Sequence, residues 1–163
     1  MKIKINKLQK ILNIKFKDPG LLLQAITHKS YNTKKNYEKL EFLGDRVLGL
    51  VISKKLLEIY PEDKEGALDK KLASLVNKKK CLEVAKSFSL EKFIFTGNKK
   101  KKDTKIESKI ISDCCEALLG AIYLDQGFEV VENFILKIWK THLKSTVVTF
   151  VDSKTRLQEY SLK

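Results

Sequence analysis

The sequence offers little of what several common protein classes need. Its three cysteines, Cys81, Cys114 and Cys115, are odd in number and two are adjacent, so no disulfide framework can be drawn. A zinc site would want more ligands than the two lone histidines supply. A reducing, cytoplasmic location is expected. No apolar run approaches the roughly 20 residues of a membrane-spanning helix, so no membrane association is expected. The opening MKIKINKLQKILNI is charged and lacks both an apolar h-region and a small-residue cleavage site, which argues against a secretory signal. Strand signals are scarce and no internal repeat occurs, so the fold class is all-α.

Positive charge is in surplus. Lys and Arg number 33 against 20 Asp and Glu, a net charge of +13. A surplus of this size attracts polyanions, of which nucleic acid is the commonest. The blander reading is lysine spread over solvated faces. At 163 residues and 43% apolar content, the chain can bury the core of one domain but hardly of two.

The helical pattern runs nearly throughout. Ile5, Leu8, Ile11 and Leu12 form a 3.6-residue stripe over 5–14. Asp18-Pro19 is a helix start, with Asp as cap and Pro in the first turn. Asn36 is the expected cap of a long helix to about Ile59, broken by Tyr60-Pro61. Helices follow from Glu65 to Val76 and from Lys78 to about Phe88, then a brief apolar anchor at Phe93, Ile94 and Phe95. A strongly apolar helix from about Ile106 to Leu124 stops at Gly127, and a last one runs from about Glu129 to His142.

Two acidic sets stand out. Glu38, Glu41 and Asp45 fall within about 60° of one another at about 100° per helical residue. Like charges stacked this way cost a helix a few tenths of a kcal/mol per pair unless compensated. Asp113 and Glu116 repeat the device inside IISDCCEALLGAIYL, a run that itself contains no lysine. Each set is either a solvated or lysine-paired acidic face, or part of a site for a hard divalent cation. Mg²⁺ takes carboxylate, water and phosphate oxygens. Held by carboxylates of two facing helices, it would polarise a phosphoryl oxygen and make a bound water a nucleophile. An acidic, metal-filled cleft on a basic protein fits a nuclease: lysines hold the backbone, and the ion cancels repulsion between carboxylates and phosphate.

These residues closely resemble the bacterial ribonuclease III family. EKLEFLGD, Glu38 to Asp45, followed by RVLGL, is similar to its most diagnostic signature, and SDCCEALLGAIYLDQG to its second acidic motif. Weaker matches, LLLQAITHKSY and YPEDKEGALDKKLASLVN, stand in family order, and the resemblance spans about residues 5 to 145. It implies a homodimeric endonuclease domain that cuts double-stranded RNA with Mg²⁺, Mn²⁺ serving as substitute. No organic cofactor is implied. The products carry 5′-phosphate and 3′-hydroxyl ends, and the expected role is processing of rRNA and mRNA precursors. By motif position Glu41, Asp45, Asp113 and Glu116 are the metal ligands, Asp45 and Glu116 being the pair whose loss is most damaging. Glu38 and Glu65 match acids that order the active centre across the dimer, and Phe42 an aromatic that plugs into the partner subunit. Arg46 receives no catalytic role, Cys114 and Cys115 are read as packing, and His28 as a core or capping residue.

The lysine runs Lys78, Lys79, Lys80 and Lys99, Lys100, Lys101, Lys102 are the RNA-contact candidates, against the alternative of solvated charge. Residues 1–148 are expected to form the endonuclease domain. Residues 149–163 are expected to be a linker and, in SKTRLQEYSLK, the opening of a double-stranded RNA-binding domain. Other readings fare worse. A non-catalytic RNA-binding scaffold would have lost one of the six acids, and all six are present. A di-iron bundle needs Glu-x-x-His pairs, and Mg²⁺–diphosphate chemistry gives no reason for the net charge.

Overall fold

In the computed structural model, which describes residues 2–97 and 106–146, three helices begin where short polar side chains satisfy free N–H groups. Asp18 accepts from the Gly20 N–H at 2.8 Å and Pro19 takes the first turn, opening α2 (Pro19–Ala25). Before it, α1 (Lys2–Leu12) ends at Asn13, which adopts the left-handed conformation that asparagine tolerates. The long helix α3 (Glu38–Ile59) starts beyond Tyr37, one residue after the expected cap. Asn36 still performs the task, accepting from the Glu38 N–H at 3.0 Å. Then come α4 (Glu65–Leu75) and α5 (Lys78–Ser87), the latter capped by Asn77, which accepts from the Lys80 N–H.

The centre of the fold is α6 (Ser108–Gln126), where every residue from Ile111 to Ile122 is buried. It packs most extensively against α3 and also against α2, α5 and α7 (Phe128–Ile138). Fully buried Leu118, Leu119 and Ile122 each contribute about 1.5–3 kcal/mol of transfer free energy. Cys114, Cys115, Ala117, Gly120 and Ala121 keep the same helix slim, so its neighbours come close.

The α3–α6 crossing is set by two glycines. A Cβ on Gly44 would lie 1.7 Å from the Glu116 carbonyl oxygen, and one on Gly120 2.3 Å from that of Leu40. No side chain fits between the two backbones here.

The last helix comes in two pieces rather than one. Between α7 and the helical stretch 140–146 the chain breaks at Trp139. Its indole is fully buried and donates Nε1–H to the Leu75 carbonyl at 2.9 Å, satisfying an end group of α4. The expected anchor at 93–95 is present: Phe93 and Ile94 are buried, and Phe95 exchanges backbone hydrogen bonds with Ile26 and His28. That isolated parallel bridge between Thr27 and Phe95 is the sole β feature among the described residues.

Candidate active site

The Gly44–Gly120 crossing carries the acids with it. Glu41 lies one turn before Gly44, and Glu116 one turn before Gly120, so joining the backbones at the glycines joins the acids. Oxygens of Glu41, Asp113 and Glu116 lie within 4.8 Å of one another. Asp113 and Glu116 are 4% and 2% exposed, and Glu41 is half-buried. A third helix supplies the counter-charge. Lys78, the first residue of α5, places Nζ 2.7 Å from Asp113 Oδ1, 2.7 Å from Glu116 Oε2 and 3.1 Å from Glu41 Oε1. The Cys81 thiol, one turn on, donates to Glu116 Oε1 at 3.6 Å.

Burial raises Glu116 above the ordinary carboxylic acid value; Lys78 opposes this, and the charges of Asp45 and Glu41 add to it. For Lys78 burial works the other way, but hydrogen bonds to Asp113 and Glu116 outweigh it and keep the ammonium charged. One ammonium against three carboxylates leaves two formal negative charges in a recess with a buried floor. All-oxygen donors with this residual charge suit a hard divalent cation. Burial raises the thiols of Cys81, Cys114 and Cys115 as well, so they stay protonated and pack as small apolar groups.

The remaining acids are placed differently. Asp45 is exposed on the rim of the same open cleft, about 410 Å³, lined also by Glu38, Glu41, Phe42, Arg46, Lys78 and Glu116. Its carboxylate accepts from Arg46 at 3.1 Å rather than joining Glu41, Asp113 and Glu116. Arg46 also donates to the Phe42 carbonyl and lies 3.8 Å from the centre of its ring, which is 63% exposed. Glu38 is exposed and pairs with Lys29 at 3.2 Å. Glu65 is not brought to this cleft by its own chain. It opens α4 beside a separate groove lined by Leu56, Leu57, Leu68 and Leu72.

The expected lysine surface divides. Lys78 points inward onto carboxylates, Lys79 is exposed, and Lys80 pairs with Glu83 at 2.9 Å. Lys99, Lys100, Lys101 and Lys102 lie outside the described residues, as do residues 149–163. His28 Nδ1 pairs with the Ser30 hydroxyl at 2.7 Å and accepts from the Ser30 N–H, a capping role in its turn.

A family model described as Ribonuclease-III-like matches residues 18–142, a span that includes all six acids. The chain belongs to the ribonuclease III family. It is 58% identical over its whole length to Ribonuclease 3 of Pelagibacter ubique, covering 73% of that protein. Ribonuclease 3 of Ehrlichia chaffeensis is 42% identical over 95% of the chain, which spans 71% of it. Among solved structures, the nuclease domain of ribonuclease III from Campylobacter jejuni superposes with a TM-score of 0.79 at 40% identity, over 84% of this chain and 96% of that one. The C. jejuni domain shows structural flexibility in a region involved in its dimer formation. The chain is thus an endoribonuclease of the ribonuclease III type, and its all-helical fold is that of the nuclease domain.

Three features of this ribonuclease III site escaped the sequence reading. Gly44 and Gly120 carried a signal, since glycine inside a helix costs about 1 kcal/mol relative to alanine and wants a compensating reason. Cys81 carried none. Lys78 was visible only as one of three consecutive lysines, with nothing to say which would turn inward.

Proposed function

We propose that this chain is the nuclease part of a homodimeric, divalent-metal-dependent endoribonuclease that hydrolyses phosphodiester bonds in double-stranded RNA. In this reading the products carry 5′-phosphate and 3′-hydroxyl ends, and the targets are rRNA and mRNA precursors in the cytoplasm. The observation that carries the metal dependence is the convergence of Glu41, Asp113 and Glu116 in a recess where two charges remain uncompensated. When bound, Mg²⁺ or its substitute Mn²⁺ supplies Lewis acidity toward the scissile phosphate and offsets the carboxylate charge.

The chain's own residues divide the remaining work. Asp113 and Glu116 form the buried floor, Glu41 the half-open wall, and Asp45 the solvent-facing edge from which a phosphate is reached. Glu38 lines the entrance. Glu65 is assigned to ordering the centre from the partner subunit, a role supported by its place beside a separate groove of its own chain. Phe42 presents an exposed ring to a second copy, and an isologous contact of this kind suits a two-fold dimer. Lys79, Lys80 and Lys99 to Lys102 are assigned to the RNA backbone, with net charge +13 as support. Residues 149–163 are read as a linker entering a double-stranded RNA-binding domain, the nuclease domain being 1–148.

The test compares cleavage of a long RNA duplex by wild type and Glu116→Gln in low salt, with Mg²⁺, Mn²⁺ or EDTA. The expected result is metal-dependent cutting by wild type, with Glu116→Gln still dimeric and RNA-binding but slower by about 10²-fold or more. An intact duplex with wild type in either metal overturns the reading, and equal cutting by the mutant removes Glu116 from the centre.

A further inference from the structure

Lys78 holds a place its local sequence does not favour. It is the first of three lysines in the first turn of α5, which contains no acid. Cations at a helix N-terminus oppose the helix dipole. What holds the Lys78 ammonium where it is lies outside α5: its three N–H donors meet Asp113, Glu116 and Glu41, one oxygen each. Those are the oxygens a divalent ion requires. Oxygen–metal distances for Mg²⁺ are about 2.0–2.1 Å, and an ammonium and an ion cannot both sit among the same three carboxylates. The stem of Lys78 is half-exposed, so its ammonium has an open path outward to the cleft.

We propose that Lys78 is a tethered cation that holds the acidic centre together without metal and is displaced when a divalent ion enters. The inference rests on the metal-centre reading above. Lys78 thereby sets the ion concentration at which the centre fills. It performs two tasks with one charge. Without metal it keeps three converging carboxylates from repelling one another and from standing unpaired in the recess. With metal it competes at the high effective concentration of a group attached to the same domain. After displacement the ammonium stands at the mouth of the cleft, lined by Asp45 and Arg46, where a phosphate approaches.

The test measures Mn²⁺ binding directly, by calorimetry or electron spin resonance, together with melting temperature in EDTA and across a Mn²⁺ titration. Variants are Lys78→Met, which keeps the stem and removes the charge, and Lys78→Arg, which keeps the charge. Lys54→Met, at an exposed pair with Glu132, is the control. Lys78→Met is expected to melt below wild type in EDTA, to gain more from Mn²⁺ than wild type does, and to bind the ion about 10-fold or more tightly. If it folds only with Mn²⁺ present, shown by circular dichroism, the proposal is supported in its strongest form. Lys78→Arg is expected to bind Mn²⁺ no more tightly than wild type. Wild-type Mn²⁺ binding that Glu116→Gln abolishes and Lys78→Met leaves unchanged or weaker overturns the role of Lys78 while the metal centre stands. Absence of Mn²⁺ binding in both wild type and Lys78→Met overturns the metal centre itself, and the proposal with it.

Discussion

Gly44→Ala tests whether the backbone crossing builds the site. The added Cβ would lie 1.7 Å from the Glu116 carbonyl oxygen and 2.6 Å from its carbon, both backbone atoms that no rotamer change can move. Restoring even a tight carbon–oxygen separation of about 3.3 Å requires α3 and α6 to part locally by roughly 1.5 Å. Overpacking of this kind costs typically 1–3 kcal/mol, from which better helix propensity returns at most about 1. The same parting carries Glu41 and Asp45 away from Asp113 and Glu116, and misplacement by about 1 Å at a reacting centre costs about 10²-fold in rate. Urea unfolding at fixed protein concentration and duplex cleavage are the paired assays. Gly66→Ala is the control, because a Cβ there meets nothing within 4 Å. It should leave stability unchanged or raise it by up to about 1 kcal/mol. If Gly44→Ala unfolds like Gly66→Ala and cuts like wild type, the crossing does not set the geometry of the centre and the reasoning fails.

Two further outcomes follow from features away from the crossing. For Asp125, burial favours the neutral acid, but the backbone N–H groups of Asp18 and Lys17, with Gln126, outweigh it and hold the carboxyl below its ordinary value. A lowered folded pKa gives stability that is present above the unfolded value of about 3.9 and lost as pH falls through the folded value. The difference in melting temperature between wild type and Asp125→Asn should therefore be full near neutrality and shrink in acid; a gap that widens in acid contradicts it. Phe42→Ala removes a ring that is 63% exposed within the protomer, so secondary structure should be unchanged while sedimentation shows a weaker dimer. An unaltered dimer would show that Phe42 lies outside the interface.

The helices were legible because their apolar periods were long and their starts chemically marked. Asp18-Pro19 opens α2 as the residues predict, and Gly127, at φ 87, follows the last residue of α6. The acids were legible as a set because carboxylates inside an apolar helix demand explanation. Their distribution was not. Helical spacing places Glu38, Glu41 and Asp45 on one face, but burial depends on where α6 crosses, so Glu41 meets Asp113 and Glu116 while Asp45 and Glu38 pair with Arg46 and Lys29 at the surface. The break at Trp139 was hidden as well, because the reward for breaking the helix is a carbonyl on α4, 64 residues away. Long-range partners of this kind leave no trace in a local pattern.

The grip of Asp125 on Lys17 and Asp18 also bears on the order in which the molecule assembles. The turn between α1 and α2 takes two of its backbone hydrogen bonds from a side chain more than 100 residues later. Closing so long a loop costs chain entropy that local helix formation does not repay. The Lys17–Asp18 end of that turn is therefore an acceptor of structure rather than a source of it, secured once α6 has docked. During synthesis it would wait, capped but unanchored, until the C-terminal end of α6 has been made.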